Sequence, residues 1–153
     1  MIGLKIENRA TKIPVAEGAT LNQITSETLD ARRLANFYKE IFGFEEIEAP
    51  NFAVEVIWLN LRGAFALHLI EKSSVTKLPE GPYSATSPVL DASHLPRSFH
   101  ICFTRDKYES FVQTLQDKGI QTFQRSILNG KVKQIFFFDP DGNGLEVASK
   151  SNE

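Results

Sequence analysis

Hydrophobic and polar positions follow a regular order along the chain from residue 20 onward. The stretch ATLNQITSETL has the pattern of a strand, and DARRLANFYKEIF after it has the pattern of a helix. Asp30 is placed to cap the start of this helix and Gly43 to end it. The apolar residues of the helix recur at helical spacing and are Leu34, Phe37, Tyr38 and Ile41. Three strand-like runs come next: FEEIEA, AVEVIWLNL and AFALHLIE.

The second half of the chain repeats this order. SFHICF predicts a strand, RDKYESFVQTLQDKG a helix, IQTFQR a strand, and KVKQIFFF with GLEVAS a final hairpin. Each half therefore has the order βαβββ, which is an internal repeat. We predict an α+β fold in which repeats 20–72 and 95–150 form an eight-stranded curved sheet, or trough, with helices on its convex face.

The remaining segments lie outside the two repeats. Residues 1–19 are predicted to be an N-terminal arm and residues 151–153 a tail, so residues 20–150 form a single domain. The segment 73–94 joins the repeats, and the stretch 73–97 contains four prolines. Because this stretch is long for a simple connection, it is either a linker or a cover over the trough.

Four polar residues stand at the centres of predicted strands: Gln23, His68, His100 and Glu146. The separation of the first two almost equals that of the last two, so the four mark matching points in the repeats. A single histidine in a strand is more often a core residue, and a strand glutamate usually faces solvent. Four such residues at matched positions favour a shared site instead.

Strand alternation supports this interpretation, since residues two apart share a face. Bulky side chains occupy the face opposite His68, His100 and Glu146, and mostly small residues flank these three on their own face. This pattern is typical of a concave face with an open cavity. Two imidazoles, a carboxylate and an amide oxygen are suitable ligands for Zn, Ni, Mn, Co or Fe. A buried Glu146 without a cation would be unfavourable.

Composition narrows the class of protein. The net charge of −2 gives no support for a nucleic-acid surface or a basic membrane patch. No apolar run approaches the length of a membrane span, and the N-terminal residues lack the apolar stretch of a signal peptide. Cys102 is the single cysteine, so no internal disulfide is possible. We therefore expect a cytoplasmic protein that binds a small molecule, with no nucleic-acid or membrane partner.

Several motifs together resemble those of the vicinal oxygen chelate superfamily. They are LNQI before RLANFYKEIFGF, then ALHLIE, FHICF and FFFDPDGNGLEV, and the resemblance covers about residues 20–149. The superfamily includes glyoxalase I, fosfomycin-resistance thiol transferases, extradiol dioxygenases and bleomycin-binding proteins. The resemblance implies that Gln23, His68, His100 and Glu146 are metal ligands. It also implies a trough that closes within one chain or between two chains of a homodimer.

Two departures from glyoxalase I bear on the substrate. Glutathione-using glyoxalases carry an arginine four residues after the first ligand, where this chain has Glu27. Some carry a tryptophan two residues before the last ligand, where this chain has Gly144. His68 also replaces a glutamate ligand. The resemblance therefore implies a glyoxalase-like site that does not use a standard glutathione adduct.

The leading hypothesis is a metal-dependent lyase or isomerase that acts on a small α-hydroxycarbonyl compound, with Glu146 moving the proton. Residues predicted to line the substrate side are Glu27, Trp58, Tyr83, His94 and Cys102. One alternative is transfer of a thiol or another nucleophile, and a second is an Fe(II) dioxygenase that uses His68, His100 and Glu146. A third is a protein that sequesters a planar ligand between aromatic side chains such as Phe52, Trp58 and Tyr83.

Overall fold

A computed structural model describes residues 13–15, 17–18, 20–73 and 90–150. The first repeat contains β1 (Gln23–Thr28), α1 (Ala31–Phe42), β2 (Glu45–Ile47), β3 (Val56–Leu61) and β4 (Phe65–Glu71). A 3₁₀ helix, Ala92–Arg97, precedes the second repeat. That repeat contains β5 (Ile101–Arg105), α2 (Tyr108–Asp117), β6 (Phe123–Ile127), β7 (Val132–Phe138) and β8 (Gly144–Ser149).

The two repeats have the same strand topology. The first sheet has the order β1-β4-β3-β2 and the second has the order β5-β8-β7-β6. In each sheet the first and last strands of the repeat pair in parallel, and the other pairs are antiparallel. This arrangement confirms the α+β fold with two βαβββ units. The eight strands are divided into two four-stranded sheets, and β1 and β5 are edge strands.

The ends of α1 are formed as the sequence predicts. The side chain of Asp30 accepts a hydrogen bond from the backbone N–H of Arg33 at 3.0 Å. Gly43 follows the helix with a φ of 75°, a left-handed conformation that costs glycine little. Both ends are therefore fixed by local chemistry, independent of the packing against the sheet.

One core is shared by both repeats. It is built from the strand residues that face the helices, such as Leu59 and Leu69 in the first sheet and Leu145 in the second. The ring of Phe42 at the end of α1 stacks on Phe103 of β5, with centroids 4.1 Å apart. Because the helix-bearing sides of both sheets meet in this core, the opposite, polar faces of the two sheets lie outside it.

Parts of the predicted arm, linker and tail are outside the described residues, namely 1–12, 16, 19, 74–89 and 151–153. None of the helices in the described ranges combines the length and apolar character that a membrane crossing requires.

Candidate functional site

His100 and Glu146 form the centre of the site on the second sheet. The Nε2 atom of His100 lies 2.9 Å from Oε2 of Glu146, and Glu146 is only 5% exposed. His100 comes just before β5, two residues before Cys102, which lies opposite Glu146 in the parallel pair. Both side chains are therefore on the face that points away from the core.

The contact of the other ring nitrogen, Nδ1, indicates which nitrogen of His100 carries a hydrogen. Its Nδ1 lies 2.7 Å from the backbone carbonyl oxygen of Ser98. A carbonyl oxygen only accepts, so Nδ1 carries a hydrogen. Nε2 then meets an acceptor oxygen of Glu146, and the contact needs a proton or another cation between the two atoms. The two side chains are therefore placed to hold one proton or one metal ion between them.

Gln134 and Arg125 extend the polar group, and sequence reasoning missed both. Gln134 is buried on β7, and its Nε2 donates to Oε1 of Glu146. Arg125 on β6 lies opposite Gln134 and donates from Nε to its Oε1 at 2.7 Å. Strand alternation could have identified Gln134, because Gln134 shares a face with Phe136, which lies opposite Glu146 in the β7–β8 pair.

The first sheet holds the other two predicted ligands. His68 on β4 is half-buried, and its ring stacks on Trp58 with centroids 4.3 Å apart and an angle of 6° between the planes. Burial lowers the pKa of His68, which favours the neutral ring that binds metals. Gln23 is exposed at the start of β1, and its Nε2 donates to Oγ1 of Thr25 at 3.2 Å.

The four predicted ligands occupy equivalent places in the two repeats. Thr25 lies opposite His68 as Cys102 lies opposite Glu146. Gln23 precedes Thr25 by two residues, as His100 precedes Cys102. The strand registers thus relate Gln23 to His100 and His68 to Glu146, and all four are on the faces turned away from the core.

The described ranges of this single chain hold no group of three or more His, Cys, Asp or Glu side chains that is placed to bind one metal ion. His68 therefore does not reach the His100–Glu146 pair. The reason is the shared core, which brings the helix-bearing sides of the sheets together and leaves their polar faces apart. The structure brings together two of the four residues, and the complete ligand set stays a prediction.

Two further predicted residues are on the same faces. Glu27 is exposed on β1 and shares a face with Gln23. Cys102 is a free thiol at the surface of β5. Burial, with a smaller contribution from the charge of Glu146, raises the pKa of Cys102 to about 11. Cys102 is therefore a thiol, not a thiolate, at neutral pH.

The 3₁₀ helix covers one end of the polar face of the second sheet. Leu95 is fully buried and clusters with Phe136. A Cβ added to Gly144 would lie 2.5 Å from Cδ2 of Leu95 and 3.0 Å from the carbonyl oxygen of Phe99. The space beside Gly144 is therefore filled by the 3₁₀ helix and the residues that follow it.

The structure brings together only some of the residues that were predicted to line the substrate side or to sequester a planar ligand. His94 belongs to the 3₁₀ helix and is exposed, with Nε2 3.9 Å from Oδ2 of Asp91. Phe52 is 47% exposed, and its ring lies 6.5 Å from that of Trp58. Tyr83 lies outside the described residues.

The residues present fit a divalent ion at this site. His100 and Glu146 present a nitrogen and an oxygen toward a common position, and each has its other polar atom held by a hydrogen bond. Such outer hydrogen bonds are what orient imidazole and carboxylate ligands in metal sites. Gln23 and His68 supply the remaining donor types from the equivalent positions of the first repeat.

Comparisons with known proteins agree with the fold. The chain is 26% identical over 133 residues to "Glyoxylase I 4" of Arabidopsis thaliana, covering 85% of this chain and 70% of that protein. It is 30% identical over 126 residues to the uncharacterized protein YwkD of Bacillus subtilis (strain 168), covering 77% and 87%.

A solved structure with the same fold is a mutant of the fosfomycin resistance protein FosX from Listeria monocytogenes, complexed with Mn(II) and 1S,2S-dihydroxypropylphosphonic acid. Its TM-score is 0.64 at 18% identity, over 88% of this chain and 93% of that one. Residues 20–147 match the family described as the Glyoxalase/Bleomycin resistance protein/Dioxygenase superfamily. Because this match spans the first repeat and nearly all of the second, the chain belongs to this superfamily.

Proposed function

We propose that the protein is a metal-dependent isomerase or lyase of the glyoxalase type, which acts on a small α-hydroxycarbonyl compound. The observation that carries this proposal is the contact of 2.9 Å between Nε2 of His100 and Oε2 of buried Glu146. A buried carboxylate is unfavourable without a positive partner, and a divalent ion bound by both side chains provides one. The solved structure of a FosX mutant complexed with Mn(II), which has the same fold, supports a metal of this kind.

Two copies of the chain complete the ligand set in this proposal. Gln23 and His68 of one copy would join His100 and Glu146 of the other, and the complex would be a homodimer. The equivalent registers of the two repeats support this arrangement, because they give the two pairs matching positions on their sheets. Among the described strands, β1 and β5 lie at the edges of their sheets, which also supports it, since edge strands can pair between chains.

The chemistry follows from the side chains of the site. A bound divalent ion would hold adjacent oxygens of the substrate and acidify the neighbouring C–H bond. Glu146 accepts this proton and returns it to the adjacent carbon. Gln134 holds Oε1 of Glu146 during the transfer, and His100 faces Oε2. Burial and the charge of Glu146 raise the pKa of Cys102 to about 11, which gives no support for a thiolate nucleophile at this position.

The charge of the polar face supports a substrate without a carboxylate near β1. Glu27 shares the face of Gln23 and is exposed. A carboxylate at this position repels the anionic end of a glutathione adduct. A smaller and less anionic α-hydroxycarbonyl compound avoids this repulsion.

Sequestration of a planar ligand without chemistry is a second candidate function, favoured by the aromatic pair on the first sheet. Trp58 stacks flat on His68, and half-exposed Phe52 is tilted toward it. Such a surface binds flat apolar molecules. This function needs no metal ion, so a requirement for metal separates the two candidates.

Proton exchange tests the proposed reaction directly. Protein loaded with Mn(II), and then with Zn(II), is incubated in D₂O with a panel of small uncharged α-hydroxycarbonyl compounds, and deuterium at the α-carbon is followed by NMR. We expect exchange that needs the metal and is lost in Glu146→Gln. Binding of aromatic ligands with no exchange, with or without metal, would favour sequestration.

A further inference from the structure

We propose that Arg125 and Gln134 are positioning residues that fix the orientation of the Glu146 carboxylate. They form a relay, Arg125–Gln134–Glu146, across β6, β7 and β8. This inference rests on the proposed metal function, because it concerns how a ligand of that site is held. Neither Arg125 nor Gln134 is a predicted ligand, and each acts through Glu146.

The relay determines which end of the Gln134 amide faces Glu146. Arg125 has only donors, and its Nε donates to Oε1 of Gln134 at 2.7 Å. The amide nitrogen is therefore on the other side, where it donates to Oε1 of Glu146. A rotated amide would place its oxygen against the carboxylate and its N–H₂ against the guanidinium. Both contacts would then be repulsive, so Arg125 selects one orientation of a buried side chain.

The selected orientation leaves one carboxylate oxygen available. Gln134 holds Oε1 of Glu146, and this contact directs Oε2 toward Nε2 of His100. Glu146 is 5% exposed and Gln134 is 9% exposed, so water has little access to replace the contact. The rotation of the carboxylate is thereby set before any ligand arrives, which is the condition for tight and specific metal binding.

Phe136 contacts both Arg125, where the relay begins, and His100, which faces Glu146 at its end. The guanidinium carbon of Arg125 lies 5.4 Å from the centre of the Phe136 ring, in a cation–π contact. The ring of His100 packs on Phe136 edge to face, with centroids 5.4 Å apart. One fully buried aromatic ring therefore positions both the start of the relay and the imidazole that faces its end.

The affinity of the protein for Mn(II) tests the role of the relay without any substrate. Dissociation constants for Mn(II) are measured by titration calorimetry on the full chain for the wild type and for Gln134→Leu, Arg125→Met, Arg125→Lys and His100→Ala. Far-UV circular dichroism checks the fold of each variant. Gln113→Leu is the matched control, because Gln113 also donates to a carboxylate, that of Asp117 at 2.8 Å, on the exposed face of α2.

We expect Gln134→Leu to weaken Mn(II) binding by about 10- to 100-fold, the usual effect of removing an outer-shell partner. Arg125→Met should weaken it by about threefold or more, because Gln134 remains but its orientation is no longer selected. Arg125→Lys keeps a donor for Oε1 and should stay close to the wild type, as should Gln113→Leu. Arg125 is exposed, so its variants should fold even if Gln134→Leu does not.

The relay is wrong if Arg125→Met and Gln134→Leu bind Mn(II) within twofold of the wild type while His100→Ala has lost it. It is also wrong if Arg125→Lys and Arg125→Met weaken binding equally, because lysine keeps a donor and the positive charge whereas methionine has neither. A different outcome bears on the proposed function instead. If the wild type and His100→Ala have the same affinity, the site is not a metal site.

Discussion

The hydroxyl of Tyr38 donates a hydrogen bond of 2.8 Å to Oδ2 of Asp139, joining α1 of the first repeat to the final hairpin of the second. Asp139 also accepts hydrogen bonds from the backbone N–H groups of Asp141 and Asn143. Burial raises the pKa of Asp139, although these bonds oppose the rise. The contact fixes how the two repeats sit on their shared core.

Tyr38→Phe should lower the free energy of unfolding by about 1.5–3 kcal/mol, since it removes a buried donor from a carboxylate. A raised pKa in the folded state means that the stability contributed by Asp139 is present below its unfolded pKa and lost as pH rises through the folded one. Loss of the Tyr38 donor raises that pKa further. Urea denaturation should therefore show a larger effect at neutral pH than in mild acid.

Tyr108→Phe serves as the control for this variant. Tyr108 is also buried, and its hydroxyl makes no hydrogen bond within the described part of the chain. It should change stability by less than about 0.5 kcal/mol. Equal effects of the two variants at every pH would show that the bond to Asp139 contributes nothing specific.

Gly144→Ala should destabilise the protein by about 1–3 kcal/mol. The added methyl group would lie 2.5 Å from Cδ2 of Leu95 and 3.1 Å from Cβ of His100. Thermal unfolding of the single variant and of Gly144→Ala/Leu95→Ala measures the coupling, and the double variant should cost less than the sum of the two single changes. Wild-type stability for Gly144→Ala would mean that the 3₁₀ helix does not cover this position.

Cys102 should react slowly with iodoacetamide in metal-free protein at mildly alkaline pH. Its pKa is about 11 instead of the ordinary 9.0, so its thiolate is roughly 100-fold scarcer than in the urea-unfolded chain. Glu146→Gln removes the charge that contributes to this rise and should accelerate alkylation. If folded and unfolded protein react equally fast, burial does not raise the pKa of Cys102, and equal rates for wild type and Glu146→Gln would show that the charge of Glu146 does not contribute.

Glu27→Arg should strengthen binding of the glutathione–methylglyoxal adduct, which we expect the wild type to turn over weakly or not at all. Glu27 is exposed, so the charge contact contributes only about 1 kcal/mol, roughly five- to tenfold in kcat/KM. Glu27→Gln separates loss of the negative charge from gain of a positive one, and Glu45→Arg on exposed β2 is a control. Wild-type turnover at the rate of a typical glyoxalase would refute the assignment of Glu27 to the substrate face.

The sequence predicts the local features of this fold well because they depend on residues close in the chain. Asp30 and Gly43 bound α1 as expected from capping chemistry alone. Alternation correctly separates Leu145 and Val147, which face the core, from Glu146 on the opposite face. The matching positions of the four polar residues also follow, since repeats of nearly equal spacing acquire the same strand register.

Contacts between distant residues could not be predicted in the same way. Tyr38 and Asp139 are 101 residues apart, and nothing local in either segment indicates the other. Gln134 directly precedes the apolar run IFFF, and only the pairing of β6 with β7 places Arg125 beside it. The repeat pattern is equally compatible with one continuous sheet and with two sheets on a shared core, because both bury the same apolar faces. Which of these two packings the chain adopts decides whether His68 lies near Glu146 or apart from it.

The metal content of purified protein tests the central claim most directly. Protein is loaded with Mn(II) or Zn(II), dialysed against metal-free buffer, and analysed by mass spectrometry of the retained ions, with His100→Ala, Glu146→Ala and the exposed His94→Ala treated in parallel. We predict about one retained ion per chain for the wild type and His94→Ala, and none for His100→Ala or Glu146→Ala. A wild type that retains no transition metal, or retains as much as His100→Ala, would contradict the account.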